Sequence, residues 1–302
     1  MFFSEEPHFC DWQLSGFGGA KAFLFDSVES THSLMKEKAF AGEIAPGTLF
    51  VANAQTGGRG RHERTWDSPA GKNLYFNILI PLDGIPSSSF AQITQVAALT
   101  FAEVFTTVQD EARGGSLNFT REASQDVAAT SAPRITVKWP NDILFGKSKF
   151  CGILAEIIFT KTATGEAKPS LSMGVGINVN SEPGDYAHLN REVTTLKNIV
   201  GKQINREQLL HMLIASLERA IGQFRAFGIA PWVSAWRKMD KFIGARGTII
   251  VNNHCTDANR DGNASGAQKK TGRILDMQPD GSLLFETDDG EIQAVYSADL
   301  EI

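Results

Sequence analysis

Residues 55–72, QTGGRGRHERTWDSPAGK, set Arg59, Arg61, Arg64 and Lys72 against only Glu63 and Asp67, in a chain whose formal net charge is −5. Arginine presents a planar fork of donors that matches a carboxylate or a phosphate. Gly57, Gly58 and Gly60 are predicted to reach positive φ and to bring backbone N–H groups against a ligand. Trp66 can stack on a planar group or fold over an occupied site. The segment therefore suits an anion held in a loop. Charge and glycine content alone slightly favour a plainer alternative, a flexible basic hairpin tip with Trp66 packed in the core.

A second basic stretch, KWPNDILFGKSK at 138–149, carries Lys138, Lys147 and Lys149 against Asp142. Lys138 falls near the end of an apolar strand and just before a Trp-Pro turn, where a half-buried ammonium needs an anionic partner. Its alternative is to snorkel to solvent, with Asn141 and Asp142 merely forming the turn. A third stretch, GVGINVN at 174–180, lacks the G-x-G-x-x-G spacing and ends a strand with no helix start, so it is a weak nucleotide signal. Asn178 within it can read a base through its amide or simply bond neighbouring backbone. The sequence contains no Walker A lysine motif and no nucleophile elbow, which excludes a P-loop and argues against a serine nucleophile.

These segments must be positioned by the elements around them. AFLFDSV, GTLFVANAQ and LYFNILI read as strands, and STHSLMKEKAF as a Ser/Thr-capped helix. The Arg/Gly segment is thus a loop between strands. The serines of PSSSFAQITQVAALTFAEVFTTV can cap a helix whose apolar face is Phe90, Ile93, Val96, Leu99 and Val104. A polar stretch at 110–132 reads as a surface insertion. RITVKW, ILF, CGILAEIIF and SLSMGVGINVN then form an antiparallel meander. A helix opening at Asn205 and a second, APWVSAWRKM, follow. Beyond Met239 four short strands with Asp280-Gly281 and Asp289-Gly290 turns predict a small β domain, in which 252–270 replaces one turn by a long loop.

The bulk composition is that of a soluble globular protein, 42% apolar and 21% charged. No run approaches the roughly 20 apolar residues that span a bilayer, and the N-terminus lacks a signal-peptide pattern. Cys10, Cys151 and Cys255 are scattered, odd in number and without zinc spacing, as suits a reducing compartment. A cytoplasmic protein is expected. The acidic balance argues against bulk binding to nucleic acid or membrane.

In order along the chain, Q-T-x-G-R-G-R-x-x-R-x-W-x-S-P-x-G, then K-W-P-N-D followed by K-x-x-G-I-L-x-E, then G-x-G-I-N, are together far more specific than any one alone. In that order the sequence resembles the biotin protein ligases, over about Phe23 to Asn180 with strong motifs and more loosely beyond. The resemblance implies an α+β fold: a mixed, largely antiparallel sheet with packed helices, like class II synthetases. A catalytic domain over 1–241 and an SH3-like β-barrel over 242–302 are expected with it. It implies ATP with Mg²⁺, biotin as substrate, a biotinyl-5′-AMP intermediate, and transfer to a lysine of a biotin carboxyl carrier domain, such as that of acetyl-CoA carboxylase. Homodimerisation varies in the family.

By the same resemblance, Gln55, Gly58, Arg59, Gly60 and Arg61 contact biotin, with Arg61 near its carboxylate and the α-phosphate. Ser30 and Thr31 line the biotin pocket with His32, which stands where the family has asparagine. Lys138 holds the carboxylate and then the acyl phosphate, and Gly152 lies against the biotin rings. Arg64, Trp66 and Asn178 form the nucleotide side. A second departure is Glu63, at a position often occupied by glycine. For His32 the plain alternative is a half-buried helix residue, and for Glu63 a side chain in solvent. Three competing readings share the pattern in part. A lipoate or octanoate ligase would carry a different glycine-rich signature. A biotin-responsive repressor needs a winged-helix module, whereas only some twenty residues precede the first catalytic strand. A non-catalytic biotin-binding regulator is opposed by the intact Arg61 and Lys138.

Overall fold

The computed structural model describes residues 2–61, 64–114, 133–161, 165–189, 192–251, 268–296 and 298–302. Seven strands build the main sheet: β1 (Ala22–Phe25), β2 (Leu49–Ala52), β3 (Leu74–Pro81), β4 (Ile135–Lys138), β5 (Asp142–Phe145), β6 (Ser148–Lys161) and β7 (Ala167–Ile177). Their order is β1-β2-β3-β7-β6-β5-β4, antiparallel throughout except for the β1–β2 pair. The meander expected from 134 onwards is thus present and joins β3 through β7.

Strand alternation decides what each face of this sheet does. On one face lie Leu49 and Val51 of β2, Phe76 and Ile78 of β3, Cys151 and Ile153 of β6, and Met173, Val175 and Ile177 of β7, all in the main core. Helices α2 (Gln92–Ala112) and α4 (Arg206–Phe227) contribute Ile93, Val96, Leu99, Leu210, Leu213 and Leu217 to the same core. The other face carries α1 (Thr31–Ala41), whose Met35 and Ala39 pack on Phe50, Leu79 and Ile158. Near the start of α1 that second face is nearly bare, because β7 offers Ser172, Gly174 and Gly176 there, and β6 offers Gly152. Gly152 pairs directly with Gly176, and Gly176 with Tyr75. Two adjacent strands therefore expose backbone rather than side chains, and a flat floor results.

Ser30 caps α1, its side chain accepting from the Ser33 N–H, as the sequence predicts. Asn205 caps α4 in the same way through Gln208. The serines ahead of α2 do not cap it. They form a separate 3-10 turn, Ser87–Ser89, and no side chain caps the helix. Gln92 and Gln95 of the first turn reach instead to the carbonyls of Asp280 and Gly281. α2 also runs further than the pattern suggested, to Ala112, and the rest of the expected insertion lies outside the described residues.

Helices α3 (Leu196–Val200) and α5 (Ala230–Met239) lead to a second sheet. It consists of β8 (Arg246–Val251), β9 (Gln268–Met277), β10 (Leu283–Thr287), β11 (Ile292–Val295) and β12 (Asp299–Glu301), in the order β11-β10-β9-β8-β12 and wholly antiparallel. Gly281 and Gly290 take positive φ in the two predicted turns. Of the expected 252–270 loop, the last three residues are already in β9, and 252–267 lie outside the described residues. Trp139 and Gln95 of the main unit both donate to the Gly281 carbonyl, so the second sheet is tied to the first. Among the described residues no helix is long and apolar enough to cross a membrane.

The N-terminal segment is an integral part of this core. Phe2, Phe9, Trp12 and Phe17 are buried in it. Arg206, at the start of α4, is also buried. It is held by Glu6 at 2.6 Å, by Asn53 and the Asn73 carbonyl, and by the Trp12 ring at 5.1 Å.

Candidate active site

A cleft lies over the glycine floor. It gathers most of the residues singled out in the sequence: Ser30, Thr31, His32, Gln55, Arg59, Gly60, Arg61, Arg64, Trp66, Lys138 and Gly152. Segments distant in sequence meet there because α1 starts over β7, the Arg/Gly loop folds across β6, and β4 ends beside it.

The Arg/Gly segment is a hairpin. Arg59 bridges Thr65, the Gly60 N–H donates to the Arg64 carbonyl, and the Trp66 N–H donates to the Gly58 carbonyl. The predicted positive φ is absent at Gly57, Gly58 and Gly60. At Gly58 the need is steric instead. A Cβ on Gly58 would stand 2.4 Å from the Trp66 carbonyl oxygen and 2.8 Å from Ser68 Oγ. Gly58 itself does not line the cleft, but it lets the two arms of the hairpin close. Residues 62 and 63, and with them the Glu63 departure, lie outside the described residues.

One end of the cleft is lined by hydrogen-bonded uncharged side chains, with Arg59 beside them. Gln55 Oε1 accepts from the Thr31 N–H at 2.9 Å and from its hydroxyl at 3.1 Å, while Gln55 Nε2 donates to Ser68 Oγ at 3.0 Å. His32 is buried beside them, so the expectation of a half-buried helix residue understates its burial. Burial pulls its pKa below the ordinary imidazole value.

The other end is cationic. Lys138 is half-buried at the end of β4, and loss of solvation lowers its pKa. Asp142 and Asp299 oppose that shift, and Lys149 and Arg64 add to it. Arg61 donates to the Ala298 carbonyl at 3.2 Å and lies 3.5 Å from Asp299. Arg64 reaches the second oxygen of Asp299 at 3.2 Å. Lys149 pairs with Asp142 at 2.5 Å and stands 5.5 Å from the centre of the Trp66 ring.

Trp66 lies on the glycine floor. A Cβ on Gly176 would meet its ring at 2.4 Å, and one on Gly152 would meet it at 2.9 Å. The indole N–H is buried with no partner among the described residues. Asn178 is not brought into this cleft. It lines a second, smaller cavity beyond Trp66, accepting from the Tyr186 hydroxyl at 3.0 Å, and Trp66 and Lys149 line both cavities.

Sequence reading left three contributors without a role. Lys149 and Asp142 were legible as the lysine of K-x-x-G-I-L-x-E and the acid of K-W-P-N-D. Asp299 carries no motif and comes from a three-residue strand, so only the docking of the second sheet reveals it.

A glycine-floored cleft with a hydrogen-bonding end and five lining cations defines a protein that seats a small molecule and holds anionic groups beside it. The chain belongs to the Biotin/lipoate A/B protein ligase family, which residues 24–178 match. It is 28% identical over 286 residues to the bifunctional ligase/repressor BirA of Bacillus subtilis, covering 94% of this chain and 74% of that one. It is 24% identical to the biotin–[acetyl-CoA-carboxylase] ligase of Mycobacterium tuberculosis, covering 77% of this chain and 75% of that protein. The fold matches the biotin protein ligase from Aquifex aeolicus in complex with biotin and ATP. The TM-score is 0.68 at 23% identity, over 93% of this chain and 97% of that one.

Proposed function

We propose that the protein ligates biotin to a lysine of a biotin carboxyl carrier domain, with ATP, through biotinyl-5′-AMP. The observation that carries this reading is the convergence of Arg61, Lys138 and Lys149 on one cleft whose far end offers Ser30, Thr31 and Gln55 as uncharged hydrogen-bonding groups. Family membership and the named ligases among its relatives support it. The biotin carboxylate attacks the α-phosphorus of ATP and pyrophosphate leaves. An acceptor amine then attacks the acyl carbon, AMP leaves, and the nitrogen gives up a proton. No enzyme nucleophile is required. The chain's task is to hold two anions in contact, which fixed cations in a partly dry cleft do by neutralising charge and by positioning.

In this reading Ser30, Thr31, His32, Gln55, Arg59 and Gly60 surround the biotin rings over Gly152. Arg61 and Lys138 face the carboxylate and the α-phosphate, and Arg64, Trp66 and Asn178 serve the nucleotide side. Lys149 joins Lys138 in neutralising the acyl phosphate. Mg²⁺ accompanies ATP. Asp142, Asp299 and Glu301 also line the cleft. The chemistry belongs to residues 1–241, and the 242–302 unit contributes Asp299 to its rim. Biotin-dependent ATP–pyrophosphate exchange, with lipoate as parallel substrate, tests the reading. Exchange with biotin alone supports it, exchange with lipoate moves the activity to the sister ligases, and biotin binding without exchange favours a regulator.

A further inference from the structure

His32 stands where the family pattern has an asparagine, and a connected chain of hydrogen bonds surrounds it. Its Nε2 faces Glu156 Oε2 on β6 at 3.2 Å, and the other oxygen of that carboxylate accepts from Lys36 of α1 at 2.6 Å. Its Nδ1 lies 3.1 Å from Asn77 Nδ2 on β3. Asn77 Oδ1 in turn accepts from the Ser172 hydroxyl of β7 at 3.2 Å, and that hydroxyl is also 3.4 Å from Nδ1. A carboxylate only accepts, so Nε2 carries the proton. A neutral ring then leaves Nδ1 as an acceptor, which is what the amide N–H requires. The order Ser172 to Asn77 to His32 to Glu156 is satisfied throughout by one tautomer and one charge state.

We propose that His32 is a positioning residue for biotin binding: the neutral imidazole, fixed between Asn77 and Glu156, forms the wall of the cleft's hydrogen-bonding end, and its protonation withdraws that wall. The inference rests on biotin being the ligand. The ring lies close to the floor, since a Cβ on Gly174 would be 3.4 Å both from His32 Nδ1 and from Asn77 Nδ2. A proton on Nδ1 sets two donors against each other across that contact. Relief requires Asn77 to turn over, reversing its bond to Ser172, or the ring to leave its place. Either change reshapes the end of the cleft and leaves a charge beside the uncharged rings of the ligand. The charged groups facing His32 are Glu156 from β6, Lys36 from its own helix and Arg59 from the hairpin. Glu156 favours the proton, Lys36 and Arg59 oppose it, and burial opposes it most. The neutral form therefore persists to below pH 6.5. An asparagine at this position has no proton to gain.

The test is calorimetric titration of the full-length protein with biotin, without ATP, at about pH 8 and about pH 5.5, on wild type, His32→Asn and His32→Gln. Binding confined to the neutral form weakens by up to about tenfold per pH unit below the His32 pKa. The wild-type Kd is expected to rise as the pH falls through the His32 titration, while the ratio for His32→Asn stays near one. Using the ratio removes any difference in absolute affinity, and His32→Gln repeats the measurement if His32→Asn fails to fold. Nitrogen-15 shifts of the imidazole at pH 8 are expected to show the Nε2–H tautomer. Equal pH ratios in wild type and variants, or the Nδ1–H tautomer, overturn the proposal while leaving biotin as ligand. Absence of biotin binding at either pH overturns the functional reading and this proposal with it.

Discussion

Lys138→Met separates a working cation from a structural one. Lys138 ends β4 half-buried, and among the described residues it forms no direct ion pair. Its lowered pKa means that the folded state disfavours the ammonium. The sign follows from linkage. Between the depressed pKa and 10.5 the unfolded chain binds more protons than the folded one. Stability thus rises with pH across that window, and at neutral pH the charge is a burden. Methionine keeps the stem and removes the charge, so the variant is expected to be at least as stable as wild type in thermal denaturation. Activity should move the other way. A unit charge about 4 Å from an anion contributes about 4 kcal/mol at an effective dielectric of about 20. Half-exposure and salt reduce that to roughly 3 kcal/mol, or about a hundredfold in rate. Biotin-dependent pyrophosphate exchange should therefore fall about a hundredfold with no loss of melting temperature. Exchange within threefold of wild type in a folded variant would refute the role. So would an inactive variant that is also markedly less stable, because the lysine would then be holding the fold.

Three further outcomes follow from the same geometry. Gly176→Ala places a methyl 2.4 Å from the Trp66 ring, so the indole must shift. Overpacking of this kind costs about 1–3 kcal/mol, and a lower melting temperature together with weaker biotin binding is expected by denaturation and calorimetry. Trp12, Trp139, Trp232 and Trp236 are buried while Trp66 is only half-buried over the floor. Because Trp139 also lines the cleft, a biotin- or ATP-dependent change in intrinsic fluorescence should be diminished rather than abolished in Trp66→Phe. Glu6→Gln leaves the Arg206 guanidinium, 6% exposed, without its charge partner. Urea denaturation is expected to show a loss of roughly 3 kcal/mol, and an unchanged midpoint would show the N-terminal anchor to be dispensable.

What could be read from the sequence was what repeats or punctuates. Alternation in LYFNILI and SLSMGVGINVN located β3 and β7, and the capping residues Ser30 and Asn205 located two helix starts. Distance hid the rest. The serines before α2 carry the right chemistry for caps, but the neighbouring second sheet draws Gln92 and Gln95 across and leaves the serines one turn early. Asp299 meets Arg61 only through tertiary docking of a strand too short to announce itself. Helix α3, of five residues, gave no period to detect.

The glycines show why the motif and its structural reason can part company. Read along the chain, G-x-G at 174–176 looked like a fragment of a phosphate loop. Read across the sheet, Gly174 and Gly176 occupy one face of β7, and Gly176 is opposed by Gly152 of β6, while Val175 and Ile177 fill the core behind. The spacing of two belongs to the strand. It clears a strip of floor on which an indole now rests and where a ligand ring system would lie. Similarly, Gly58 is needed for its close approach to Trp66, not for left-handed backbone. Gly58 and Gly176 therefore act on the same object. One lets Trp66 be carried over the floor, and the other keeps the floor flat enough to receive it. A side chain at Gly58 or at Gly176 is expected to disturb the same residue, although the two lie more than a hundred residues apart.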